Sequence, residues 1–132
     1  MEYASLKLTS YTQGELYTLM YERAHKNEYV VYIRGEYCKN EDLFFHDLAV
    51  AFRFPFYFGN NWDALDECIC DLEWISFDKI LLVIENYRHL FEEEKECMDI
   101  CLKHLNLATR YWAEQDVEFE VLLNEEQRQV YY

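Results

Sequence analysis

Two short apolar runs constrain this chain more than any other feature: residues 29–34, "YVVYIR", and residues 79–84, "KILLVI". Short, nearly continuous apolar runs are the pattern of strands buried on both faces, as in a parallel sheet. A third run, residues 117–123, "VEFEVLL", alternates instead, with Val117, Phe119 and Val121 on one side and Glu118 and Glu120 on the other. That alternation predicts a third, more exposed strand at an edge of the sheet.

The segments between these runs have helical patterns. Asn40 is a good N-cap, and Glu41 and Asp42 follow in the first turn, where the helix dipole favours acids. Leu43, Phe44, Leu48, Ala51 and Phe52 then mark an apolar stripe. Pro55 is expected to end this helix, because the residue before a proline is steered out of the helical region. A second helix is expected after Asn61. Residues 94–114 carry a long amphipathic pattern with Cys97, Cys101, Leu105, Ala108 and Trp112 on one side. Strands alternating with helices predict an α/β layer fold, a small three-stranded parallel sheet packed with helices over residues 29–124. Residues 1–28 form an N-terminal extension and 125–132 a C-terminal tail. In the extension, "SLKLTSY" has the pattern of a further short strand. Thr12 with Glu15 makes a capping box for a helix bearing Leu16, Leu19 and Met20, so the extension is expected to pack.

With 132 residues, 52% of them hydrophobic, the chain suits one domain with a real core. No apolar run approaches the roughly 20 residues that span a bilayer. The first residues lack a basic stretch followed by an apolar one, so no signal peptide is expected. Five cysteines are an odd number without the spacing of a disulfide framework, which suits reduced thiols in a cytoplasmic protein. Twenty-six acids against twelve bases give a formal charge of −14. Such a surface repels a phosphate backbone, so direct nucleic-acid binding is not expected. A basic protein partner is favoured, and its encounter would be accelerated by the field. The plain alternative is that the acidity only keeps the protein soluble.

The acids concentrate in residues 54–74, "FPFYFGNNWDALDECICDLEW", where Asp63, Asp66, Glu67, Asp71 and Glu73 have no Lys or Arg among them. Like charges at helical spacing repel by roughly 0.2–0.5 kcal/mol per pair. Advancing about 100° per residue from Trp62 places Leu65, Cys68, Ile69 and Leu72 on one arc, with Trp62 beside them. Asp63, Asp66, Glu67, Cys70 and Asp71 fall on the other. The apolar arc must pack inward, and the acidic arc then faces out. An ordinary solvated face is the bland reading. The missing bases and the aromatic lead-in, Phe54, Phe56, Tyr57, Phe58 and Trp62, favour an interface.

This stretch closely resembles the signature of the barstar family, intracellular inhibitors of barnase-like ribonucleases. The family motif is Pro, two residues, an aromatic, Gly, any residue, Asn, a hydrophobe, Asp-Ala-Leu and, three residues on, Cys. Pro55, Phe58, Gly59, Asn61, Trp62, Asp63, Ala64, Leu65 and Cys68 match it. The resemblance implies a barstar-like fold and inhibition by occlusion, in which the loop and helix of the motif plug a nuclease active site. By position, Tyr57 matches the tyrosine of the binding loop, Asp63 the first contacting aspartate, and Glu67 the aspartate that stands in for a substrate phosphate. The partner-binding set is then Tyr57, Asn60, Asn61, Trp62, Asp63, Asp66, Glu67, Cys70 and Asp71. Contact positions depart from the pattern. Asp66 stands where the family has an interface tryptophan, Glu67 is longer than aspartate by a methylene, and no residue of the last helix matches a further interface glutamate.

The expected function is therefore that of an immunity protein, monomeric when free, that blocks a basic ribonuclease in a bacterial toxin–antitoxin pair. The same scaffold directed at another nuclease or a deaminase, or a regulatory module with no toxin partner, are the alternatives. No catalytic residue, metal or cofactor is expected, and no membrane contact. Cys97, Cys101 and His104 share a helix face and are three potential metal ligands, but their neighbours Leu105, Ala108 and Trp112 make a core stripe the better reading. Asp63 and Glu67 form a carboxylate pair on a helix surface without a convergent cleft, and no Gly-rich phosphate loop is present.

Overall fold

The run at 79–84 becomes the spine of the sheet. The computed structural model describes residues 5–55, 59–72 and 76–126. Among these the chain runs β1 (Leu6–Thr9), α1 (Gln13–His25), β2 (Tyr29–Arg34), α2 (Glu41–Phe52), α3 (Trp62–Ile69), β3 (Lys79–Glu85), α4 (Cys97–Glu114) and β4 (Glu118–Asn124). Single 3-10 turns follow β2, at Gly35–Tyr37, and β3, at Tyr87–His89. The strands form one parallel sheet in the order β1-β4-β3-β2. The architecture is the expected α/β layer fold, but the sheet has four strands where three were predicted. The fourth is β1, from the extension, paired with β4 from Leu6 opposite Val121 to Thr9 opposite Asn124.

This addition moves β4 off the edge. The alternating run was predicted at an edge, yet β4 lies inside the sheet with every residue from Phe119 to Asn124 buried. Its alternation misled because Glu120 is a buried carboxylate with cations supplied from elsewhere. Lys7 Nζ lies 2.6 Å and Arg23 Nη1 3.4 Å from its two oxygens. Burial alone would raise the Glu120 pKa, but the hydrogen bond and charge of Lys7, with Arg23, hold it below the usual carboxylate value. Conversely, β2 was expected to be buried on both faces and is an edge strand. Val31 and Ile33 point into the core, while Tyr29, Val30 and Tyr32 are half-buried.

The two faces of the sheet carry unequal cores. On the larger side Ile80, Leu82 and Ile84 of β3, with Phe119, Val121 and Leu123 of β4, pack with Phe44, Phe45, Leu48 and Phe52 of α2, Leu65 and Ile69 of α3, and Cys101, Leu105 and Ala108 of α4. On the other side Leu16 of α1 joins Leu81, Val83 and Leu122 in a small cluster bordered by Tyr11, Leu19, Met20, Val30 and Tyr32. Each fully buried aliphatic or aromatic side chain contributes roughly 1.5–3 kcal/mol. The main core therefore dominates, and it is the side on which α3 rests.

Local chemistry sets the helix ends. The Thr12–Glu15 capping box forms as expected, with Glu15 N–H on Thr12 Oγ1 at 3.2 Å and Thr12 N–H on Glu15 Oε1 at 3.0 Å. Asn40 Oδ1 caps α2 by accepting from Leu43 N–H at 3.0 Å. Pro55 does not end that helix. Arg53 adopts a left-handed conformation (φ 60°) at its C-terminus. Phe54 N–H reaches back to Ala49 O at 2.9 Å and Arg53 N–H to Val50 O at 3.3 Å. That pair of bonds terminates the helix before proline can act. Likewise α4 begins at Cys97, three residues later than its pattern suggested.

A candidate partner-binding helix

The loop before α3 is organised by two asparagines. Asn60 takes a left-handed conformation (φ 50°) that turns the chain, a geometry asparagine tolerates better than most side chains. Asn61 then uses both ends of its amide. Its Oδ1 accepts from Ala64 N–H at 2.8 Å, and its Nδ2 donates to Gly59 O at 3.1 Å. One side chain thus caps the helix and closes the preceding loop. Asn60 and Asn61 are both exposed, as is Gly59.

Helix α3 has only eight residues and stops at Ile69, short of the extent expected from its acidic pattern. Leu65, Cys68 and Ile69 are buried. Trp62, at the first position, is wedged among the rings of Phe45 (4.8 Å, edge-on), Phe44 (5.9 Å) and Phe91 (6.3 Å), and stacks on His104 of α4 at 5.1 Å and 17°. It is half-buried, and its visible contacts are those of an anchor holding the helix down. The other end is pinned by Trp112 of α4, whose Nε1–H donates to Ile69 O at 2.8 Å.

On the outer side the acids separate into two kinds. Asp63 and Glu67, one turn apart, are exposed. Asp66 is not free: its Oδ1 meets His104 Nδ1 at 2.7 Å, with the aspartate side chain 39% and the histidine 17% exposed. The neighbouring sequence holds no base, so this compensation was invisible there. Its only trace was a polar residue on the apolar stripe of α4, where a partner is needed.

Two more expectations change at the end of the helix. Cys70, predicted on the acidic arc, is the C-cap and half-buried against the core. It keeps its helical position, with its N–H on Asp66 O at 3.1 Å, but the main core extends to that arc and covers half of it. Burial first, and the Asp66 carboxylate second, push its thiol up to about 11. Asp71 is exposed but lies beyond the helix, its N–H bonded to Cys68 O at 3.2 Å. Tyr57 and Glu73 lie outside the described residues.

The three potential ligands on α4 diverge. His104 turns to Asp66, and Cys97 Sγ–H donates to Glu41 Oε1 at 2.9 Å. Cys101 is fully buried. Glu41, Glu94 and Cys97 bring three ligand atoms within 4.8 Å of one another. The cluster is already joined internally, with Glu41 N–H on Glu94 Oε1 at 2.9 Å. Burial and the hydrogen bond to Glu41 push the Cys97 thiol up to about 12, the neutral form that donates this bond. Among the described residues no helix is long and apolar enough to cross a membrane.

No curated protein sequence matches the chain. The family described as "Barstar (barnase inhibitor)" does, over residues 28–124. That span begins just before β2 and ends at the last residue of β4, taking in α2, α3, α4 and the capped loop. With about three quarters of its length matched, a parallel α/β sheet, and the Pro55 to Cys68 motif built around a doubly bonded Asn61, the chain belongs to the barstar family.

Proposed function

We propose that this protein is an inhibitor, not an enzyme, and that it blocks the active site of a basic ribonuclease with the loop before α3 and the outer side of α3. The observation that carries this reading is the pairing of exposed Asp63 and Glu67 on a helix anchored from beneath by Trp62 and Trp112. Carboxylates standing out on a rigid helix suit insertion into a cationic cleft. Glu67 takes the place of a substrate phosphate there; Tyr57, Asn60, Asn61, Asp63, Asp66, Cys70 and Asp71 complete the proposed contact set, and Trp62 serves it as the anchor. The formal charge of −14 supports a basic partner. Its setting is the cytoplasm of a bacterium, where it serves as an immunity protein, monomeric until the toxin arrives.

The test is inhibition of a barnase-type ribonuclease by the purified protein and its variants. Glu67→Ala leaves the target's cations desolvated and unpaired, so it is expected to weaken binding by about 2–5 kcal/mol, chiefly through faster dissociation. Asp71→Ala, beyond the helix, is expected to cost far less. Equal losses at the two positions would replace the phosphate mimic with a diffuse acidic patch.

One observation favours a second target class. Asp66 occupies the position of a family contact residue but is held by His104. That supports the same scaffold directed at a different toxin, another nuclease or a deaminase. Failure to inhibit any barnase-type enzyme, with capture of such a toxin that Glu67→Ala abolishes, would select this reading.

A further inference from the structure

The C-terminal half of α2 presents a stripe opposite in character to the outer side of α3. His46, Val50 and Arg53 follow one another at helical spacing, and all three are exposed, Val50 by 65%. Beneath them Phe45, Leu48 and Phe52 are buried, so the stripe rests on a fixed support. Two shallow grooves meet along it, both touching His46 and Val50. One, of about 350 Å³, runs toward Tyr37 and Arg34. Its one carboxylate, Asp47, is half-buried and accepts from Cys38 Sγ–H at 3.6 Å. The other, of about 320 Å³, runs past Arg53 to Pro55 and Asn60, and none of the described residues lining it is acidic. In a chain with 26 acids and a formal charge of −14, that absence marks the groove off from its surroundings.

Arg53 is the cation of this groove. Lys7, Arg23, Arg34 and Lys79 each meet a carboxylate, whereas Arg53 forms no ion pair among the described residues. It also holds a left-handed conformation (φ 60°), where glycine or asparagine is the usual choice. The helix dipole favours any cation at this end, which explains the charge but not the exposed Val50 beside it. Asn60 joins the groove to the proposed contact surface, because it lines the groove and stands in the loop before α3. A partner whose cleft receives that loop and α3 therefore lies over Asn60, and its rim reaches Arg53.

We propose that this stripe is a second contact zone for the inhibited ribonuclease, and that it takes an acidic side chain flanked by an apolar one on the rim of the enzyme's cleft. Arg53 meets the carboxylate and Val50 its apolar neighbour. The inference rests on the proposed inhibitory function and adds the chemistry of the rim to it. The partner is basic within the cleft and acidic beside it.

Charge reversal at Arg53 separates this partner from a uniformly basic one by the sign of the effect. Arg53→Glu makes an acidic protein more so, which would tighten binding to a uniformly basic surface. Against an acidic rim it is expected to weaken binding to a barnase-type ribonuclease about tenfold or more, because like charges then face each other. Arg53→Gln is expected to lose about twofold to fivefold, and Arg53→Lys to keep most of the affinity. Val50→Ser is expected to lose about threefold or more, and covers the case in which a change at Arg53 disturbs the helix end. Lys26→Glu, exposed at the end of α1 on the other face of the sheet, adds the same charge elsewhere and is expected to leave dissociation unchanged. Unchanged or tighter binding in Arg53→Glu, with Glu67→Ala still disruptive, would overturn the acidic rim and leave the inhibitory helix standing. Equal weakening in Lys26→Glu would reduce the effect to net charge and overturn it too. No binding by the unaltered protein would overturn both readings together.

Discussion

Asp66 Oδ1 and His104 Nδ1 are 2.7 Å apart, and through them the helix that carries the proposed contact acids is tied to the longest helix of the domain. An ionised carboxylate only accepts, so the ring nitrogen donates. The same ring lies flat against Trp62, so one histidine holds the second turn of α3 by a hydrogen bond and the first by stacking. A double-mutant cycle of Asp66→Asn and His104→Ala, read in chemical denaturation, is expected to give a coupling of about 0.5–1.5 kcal/mol. Additive losses would show that the bond carries no net energy.

Trp62 and Asp63 are adjacent in sequence and opposite in role. Trp62→Ala removes a ring packed among three phenylalanines and a histidine and is expected to cost about 2–4 kcal/mol, less than a fully buried aromatic because part of the ring stays exposed. Asp63→Ala loses only a favourable charge at the helix N-terminus, about 0.3–1 kcal/mol. Thermal melting of the two free variants separates scaffold from contact before any partner is added. Similar destabilisation by both would contradict the division.

The charge makes a kinetic prediction. With a formal −14, association with a basic partner is expected to slow steeply as salt rises, while dissociation changes little. Stopped-flow association at low and physiological ionic strength reads this directly. An association rate constant indifferent to salt would exclude electrostatic steering.

Glu120 sets an acid limit on the sheet. Its pKa is lower in the folded chain than in the unfolded one, because Lys7 and Arg23 outweigh burial. The unfolded state therefore takes up the proton first. The stabilisation is complete above the unfolded carboxylate value and is lost as pH falls through the folded one. Glu120→Gln is expected to lower stability at neutral pH by about 1–3 kcal/mol and to flatten the acid limb of the stability profile. An unchanged acid limb would place that pH dependence in other carboxylates.

Much of the fold was legible because it rests on local signals. Asn40, Thr12 and Asn61 marked helix starts by short side chains that reach their own backbone, and β3 announced itself as an unbroken apolar run. The edges were not legible. Which strand is flanked depends on where residues 6–9 pair, more than a hundred positions away along the chain, and an acid such as Glu120 looks the same whether water or Lys7 meets it. The site divides the same way. Asn61 and the exposure of Asp63 and Glu67 followed from capping and periodicity. The tie between Asp66 and His104 joins separate helices, and the half-burial of Cys70 depends on core side chains distant in sequence.

Gly35 allows a separate test of the sheet's geometry. Gly35→Ala places a methyl group 2.1 Å from a backbone oxygen, where no side-chain rotation relieves it. A loss of about 1–3 kcal/mol is expected, with the shift centred on residues 34–37 and 85–89. Gly14, with nothing within 4 Å of its added Cβ, is the control, and Gly14→Ala in the first turn of α1 is expected to be neutral or stabilising.

The pairing of β1 with β4 also has a consequence in time. The first strand of the sheet has the last one as its neighbour, while β2 and β3 pair with each other. A chain leaving the ribosome exposes β1 early and must hold it unpaired until β4 emerges. Closure of so long a loop costs entropy that local contacts do not repay, so the step that docks β1 belongs late in folding. Until then β4 has a bare edge and Glu120 no lysine. The nascent protein is for that interval an open three-stranded intermediate, most vulnerable to strand exchange along the edge that the finished molecule conceals. Pulse-labelled hydrogen exchange during refolding, with the amides shared by β1 and β4 protected after those between β2 and β3, is the expected record of that order.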